Sequence, residues 1–136
     1  IWHTLVYDLC KQVVATHKMT LRSSGLQQRN FIAVSDICSA ILHFLQLDAT
    51  QAGDGLFNLG GLTSTTVLEM ATVVAARAHA VLGINATIDR PSPSVDELVI
   101  PLDYQINKLI ATGFVPKNVV NAEIDQLLLM CAENQQ

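Results

Sequence analysis

From Thr66 to Gly83 the sequence carries the start, the apolar pattern and the stop of one long helix, and the core must be built around it. Thr66 and Glu69 fit a capping box, in which each side chain satisfies the other's backbone N–H, and Gly83 ends the run. The pattern predicts a helix over about residues 65–82. A second helix is predicted over residues 2–16, where Trp2, Leu5, Val6, Leu9 and Val13 recur at helical spacing. A third opens on Ser35 and Asp36 as caps, buries Ile37, Ala40, Ile41, Phe44 and Leu45, and ends near Leu47. Ile106–Thr112, stopped by Gly113, and Ala122–Cys131 complete the helical segments.

The extended segments are short. Met19 and Leu21 on one side of Ser23-Ser24-Gly25, and Phe31, Ile32 and Val34 on the other, predict a small strand or hairpin. Residues 48–55 are polar and read as a loop, Leu56–Leu59 as a buried strand closed by Gly60-Gly61, and Ile84–Asp89 as extended chain. Pro91 and Pro93 make 91–97 a surface loop, and Leu98–Leu102 is expected to be a short strand. The sum is an α+β, helix-rich chain without a complete Rossmann sheet. It carries no Gly-x-Gly-x-x-Gly turn to cradle a dinucleotide pyrophosphate.

Surface charge narrows the partners. Eight cations face 12 acidic residues, for a net charge of −4 and a pI near 5.4, and no basic run is present. Phosphate backbones of nucleic acid and anionic membrane surfaces are therefore poor partners. Only 15% of residues are charged and the mean hydropathy is +0.35, so the chain is short of polar surface and part of it is expected to be covered. The most apolar stretch, Val67–Ala86, is broken by Glu69, Arg77, His79 and Gly83 and does not suit a membrane span. No signal-peptide pattern is present, and Cys10, Cys38 and Cys131 are odd in number and far apart. A reduced, cytoplasmic protein is expected. The first residue is Ile1 rather than Met, which points to a fragment, a processed product or further leading residues.

Among chemistry-bearing groups, His3, His17, His43 and His79 lack metal-ligand spacing, and no Gly-x-Ser-x-Gly turn marks a nucleophile. Asn85-Ala86-Thr87 matches a glycosylation acceptor only by letter. Tyr7 and Lys11 form a Tyr-x-x-x-Lys pair one helical turn apart, an arrangement in which the ammonium can ease proton transfer by the phenol.

The most informative block is Arg29-Asn30-Phe31-Ile32-Ala33-Val34-Ser35-Asp36. It resembles the Arg-Asp-Phe-Ile-x-Val-x-Asp motif of the extended short-chain dehydrogenase/reductase family, the NAD-dependent sugar-nucleotide epimerases and dehydratases. Three more pieces follow in that family's order. Phe57-Asn58-Leu59-Gly60-Gly61, followed by Thr66-Val67-Leu68-Glu69, is similar to the Asn-x-Gly strand end and its helix; Asp89-Arg90-Pro91 to the Arg-Pro-Gly-Asp turn; Lys108-Leu109 and Gly113-Phe114-x-Pro116 to the Lys-Leu-x-x-x-Gly-Trp-x-Pro ending.

The resemblance implies that residues 1–136 are a single domain, the C-terminal substrate-binding part of such an enzyme, with the Rossmann half, the NAD(P) and the catalytic Tyr and Lys elsewhere in the full-length protein. In that register Tyr7 and Lys11 are not the catalytic pair, and this chain supplies no catalytic, cofactor-binding or metal-ligating residue. Arg29 and Arg90 match the arginines that contact the substrate diphosphate, and a planar guanidinium suits phosphate oxygens. The implied partners are a nucleotide sugar or related small molecule, and either the Rossmann domain or a second copy across apolar surface. Asn30 stands where the family has Asp, Ser92-Pro93 where it has Gly-Asp, and Gln105 where it has Asp. The alternative function is a free-standing ligand-binding or assembly module that keeps the fold without catalysis.

Overall fold

A computed structural model describes residues 4–134. Its elements run α1 (Leu5–Thr16), β1 (Lys18–Thr20), β2 (Gln28–Asn30), α2 (Val34–Phe44), α3 (Ala49–Ala52), β3 (Ser64–Thr66), α4 (Val67–Leu82), β4 (Thr87–Asp89), α5 (Asn107–Ile110) and α6 (Val120–Glu133). The fold is helix-rich α+β, and its described strands form two two-stranded ladders, β1 with β4 and β2 with β3. Backbone contacts divide the chain into two compact units.

The first unit comprises Ile1–Arg29, Thr65–Pro101 and Asn121–Gln136. The helix foreseen over 65–82 is α4, and its capping box forms as expected: Thr66 N–H donates to Glu69 Oε2 at 2.6 Å, and Glu69 N–H to Thr66 Oγ1 at 3.1 Å. The Thr66 N–H, then its hydroxyl, hold the Glu69 carboxyl below the usual carboxylate range. Ionised Glu69 therefore supports α4 above that range, and the support is lost as pH falls through the lowered value. Gly83 closes the helix in the left-handed conformation, φ 69°. On α4 the stripe Val67, Met70, Ala71, Val74 and Ala78 is buried, and α1 packs against it with Leu9, Cys10, Val13 and Val14. The expected beginning of α1 at Trp2 lies outside the described residues. Ile124, Leu128 and Cys131 of α6 are buried as well.

Burial decides the thiol chemistry. Cys10 is fully buried, and its pKa is pushed up to about 12, first by burial and then by the neighbouring Cys131; burial raises Cys131 also, against the pull of Lys11. Cys38 on α2 is exposed. Iodoacetamide at pH 8 is therefore expected to label Cys38 alone in the native protein and all three cysteines in urea, as read by intact mass. Native labelling of a second cysteine would contradict the packing.

Of the small strand or hairpin expected around Ser23-Ser24-Gly25, the strand forms at Met19 as β1, and the hairpin does not. β1 pairs in parallel with β4, in the register Met19↔Ile88, and the Leu21 N–H continues to Asp89 O at 2.9 Å. The chain from Leu21 to Gln27 is instead tied to the start of α4: Leu68 N–H donates to Gly25 O at 2.9 Å and Val67 N–H to Gln27 O at 3.1 Å. Gly25, at φ +79°, makes that approach possible, since a Cβ there would press on Leu21 and Leu68. Leu98–Leu102, expected as a strand, is not part of one, and Leu98 and Ile100 are exposed.

The second unit comprises Asn30–Ser64 and Leu102–Val120, around a small core of Ala40, Leu109 and Phe114 with Phe44, Phe57 and Leu59 against it. Asp36, expected as a helix cap, sits inside α2 instead. It is buried, and its two carboxylate oxygens accept the N–H groups of Lys117 (2.7 Å) and Asn118 (2.9 Å). The N-cap position is Ala33, without a side-chain cap, and α2 stops at Phe44 rather than near Leu47. Within the expected 48–55 loop a single helical turn, α3, is held by its own capping box between Asp48 and Gln51. Leu56–Leu59 belongs to no strand, contrary to the buried strand expected: Phe57 and Leu59 pack against the core while Leu56 is exposed. Gly60 and Gly61 follow, both buried.

Candidate functional site

The first unit contains a cleft of about 310 Å³, at the lower end of ligand-site sizes. One wall is α1, where Leu5, Asp8, Leu9 and Gln12 share a face by their three- and four-residue spacing. The other is built by Thr20, Leu21, Arg22 and Ser23, by Gln27 and Arg29, and by Val67 at the start of α4. Gln12 Oε1 accepts the Thr20 N–H at 2.8 Å and fixes α1 to β1, while Gln27 Nε2 donates to Ser23 Oγ at 2.8 Å and braces the turn. The amides at the start of α4 are already engaged, Val67 and Leu68 by backbone carbonyls and Glu69 by Thr66.

The two arginines foreseen for the site part company. Arg29, exposed on β2, lines the cleft and forms no ion pair with a described residue. Arg90 is half-buried, is not among the lining residues, and donates from Nη1 to Ser24 O at 2.5 Å. The Ser24 hydroxyl in turn donates to Glu97 Oε1, and Glu97 Oε2 accepts the Ser94 N–H at 3.3 Å, so the 91–97 loop is fastened to the same turn. A second guanidinium in the cleft, Arg22, belongs to no motif and was not foreseen. The only local signal was a cation directly after the buried Leu21.

Tyr7 and Lys11 are neighbours on α1, the Lys11 ammonium lying 5.6 Å from the phenol ring centroid. Among the described residues no group of three or more His, Cys, Asp or Glu side chains is arranged to hold a metal ion, and no helix is long and apolar enough to cross a membrane.

Neither the start of α4 nor that of α2 is built for an NAD(P) pyrophosphate. The turn from β3 into α4 presents the Glu69 carboxylate at the amides where such a group would need open N–H donors. The Ala33 turn into α2 carries the branched residues Ile32 and Val34 in place of glycines.

No protein-family model matches the sequence, and no curated protein does. Solved structures do match. UDP-N-acetylglucosamine 4-epimerase from Methanobrevibacter ruminantium, in complex with UDP-N-acetylmuramic acid, superposes with a TM-score of 0.71 at 14% identity, over 99% of this chain and 41% of its own. RMD from Pseudomonas aeruginosa, complexed with NADPH, gives 0.70 at 14% identity, over 96% and 43%. UDP-glucose 4-epimerase from Thermotoga maritima, with UDP-glucose, gives 0.69 at 16% identity, over 98% and 40%. The chain thus spans about two fifths of the length of these structures. At such identities the likeness speaks for the fold, and at that level it bears out the resemblance of the four sequence motifs: this chain has the fold of the C-terminal part of the epimerases and dehydratases of the extended short-chain dehydrogenase/reductase family.

Proposed function

We propose that this chain is the substrate-binding part of an NAD(P)-dependent nucleotide-sugar epimerase, dehydratase or related reductase, and that it does not turn over substrate by itself. The observation that carries the proposal is Arg29: in a chain of this fold it lines a cleft and forms no ion pair with a described carboxylate. The chemistry of the cleft agrees. A guanidinium meets two phosphate oxygens at once, and Leu5, Leu9, Leu21 and Val67 provide apolar wall. Arg90 is the second arginine assigned to the diphosphate by the family pattern; it does not line the cleft, and Ser24 O holds its Nη1, so the reading rests on Arg29. Hydride transfer belongs to the cofactor-binding part of such an enzyme, and the contribution of this chain is to hold the sugar nucleotide in place.

A second reading, a free-standing binding or assembly module, is favoured by α2, whose Val34, Ile41, Leu42 and Leu45 are all exposed, Leu45 by 78%. An apolar face of that kind calls for a cover, either a cofactor-binding domain or a second copy.

Calorimetric titration with UDP-glucose separates the two. Saturable binding is expected, weakened at least tenfold, about 1.4 kcal/mol, by Arg29→Gln. A folded chain that binds neither UDP-glucose nor UDP-N-acetylmuramic acid, yet self-associates with concentration in sedimentation, would overturn the substrate-binding proposal in favour of the module.

A further inference from the structure

We infer that Arg22 is a second anion-gripping residue of the cleft and acts with Arg29 on the same phosphoryl or diphosphoryl group; the inference rests on the substrate-binding proposal and extends it to a residue that no motif assigns. The chain holds four arginines, and the structure employs two of them internally. Arg77 makes a two-pronged pair with Asp125, Nε to Oδ1 at 2.6 Å and Nη2 to Oδ2 at 2.5 Å, and Arg90 is held by Ser24 O. Two of the four lysines are paired as well, Lys18 with Asp89 at 2.9 Å and Lys108 with Asp54. Arg22 and Arg29 form no ion pair with a described residue, and both open on one cleft.

The surroundings favour an anion held by side chains. The amides of Val67, Leu68 and Glu69 are spent on Gln27 O, Gly25 O and Thr66 Oγ1, so the helix start offers no backbone grip there. Among the described lining residues two arginines stand beside one carboxylate, Asp8, a formal charge of +1 that suits a phosphate ester. Arg22 is also set firmly: Leu21 before it is buried and Ser23 after it is braced by Gln27. Its guanidinium therefore works from a fixed backbone.

Inorganic pyrophosphate is the direct probe, titrated into the chain by calorimetry beside UDP-glucose. Arg22→Gln and Arg29→Gln are each expected to weaken pyrophosphate at least tenfold, and Arg22→Lys to recover part of the loss, since a point charge replaces a two-pronged donor. Both residues are exposed, and unchanged circular dichroism would show that the variants fold. Pyrophosphate affinity within twofold of wild type in Arg22→Gln, or no pyrophosphate binding by the wild type, would overturn the inference. If UDP-glucose still binds in either case, the substrate-binding proposal survives; if UDP-glucose fails to bind while pyrophosphate depends on Arg22, that proposal falls and the anion site stands.

Discussion

Replacing Gly61 with alanine is expected to destabilise the protein by about 3 kcal/mol, the upper end of what over-filling a packed site costs. A Cβ at this position would run into the carbonyl oxygen of Phe31 and stand 3.1 Å from its carbonyl carbon. The obstacle is backbone, which cannot turn aside as a side chain can. It is also held in place. Asn30 receives the Gly61 N–H on Oδ1 at 2.7 Å and returns a bond from Nδ2 to Gly61 O at 3.0 Å, so glycine and asparagine clasp each other across the Phe31 peptide. Moving Gly61 away to accommodate a methyl group would break that clasp and leave buried polar groups unpaired. Gly83→Ala is the control: nothing lies within 4 Å of its Cβ position, and only its left-handed backbone, φ 69° and ψ 16°, opposes a side chain, at a cost of about 1 kcal/mol. Urea unfolding of both variants decides the matter. Equal losses at the two positions would show that Gly61 is not sterically required.

The clasp also illustrates what could be read from the sequence. Asn30 and the Gly60-Gly61 pair were each visible as pieces of motifs, but their direct bond joins positions 31 residues apart and has no local sign. Features whose partners lie within a turn or two were legible: the Thr66–Glu69 box, the Gly83 stop and the apolar stripe of α4 all form as their spacing requires. Features that look local but are completed from afar were misread. Asp36 has the chemistry of a helix cap, yet its partners are the amides of residues 117 and 118. Met19 and Leu21 next to a Ser-Ser-Gly turn read as half a hairpin, yet β1 finds its ladder at Ile88. Leu56–Leu59 read as a strand because apolar runs report burial, and burial on one side needs no ladder; Phe57 and Leu59 reach the core without one. The same division runs through the site. Arg29 was found because it stands in a motif, whereas Arg22 acquires its meaning only when β1, β2 and α1 are brought together around the cleft.

Asp36→Ala is expected to cost about 3 kcal/mol as well, by a different route, since a charged acceptor bonded to backbone N–H groups contributes roughly 1.5–3 kcal/mol per bond. Asp36 is 2% exposed, so water cannot replace the carboxylate when it is removed. Its two oxygens each take one amide of the segment after Gly113, and that segment is unusual: Asn118 holds φ +55°, a conformation that side chains other than glycine adopt at some expense. The carboxylate therefore offsets a backbone cost while binding α2 to the chain that leads into α6. Asparagine does not rescue the site, because its amide offers one acceptor oxygen and turns an N–H₂ donor toward the other backbone N–H. Asp36→Asn is expected to lose most of what Asp36→Ala loses. Hydrogen exchange gives the residue-level check: the Lys117 and Asn118 amides should exchange much faster in either variant while the α4 amides of the first unit keep their protection. Unchanged protection at 117 and 118, or a loss below about 1 kcal/mol for the alanine variant, would mean that the two bonds do not hold this segment.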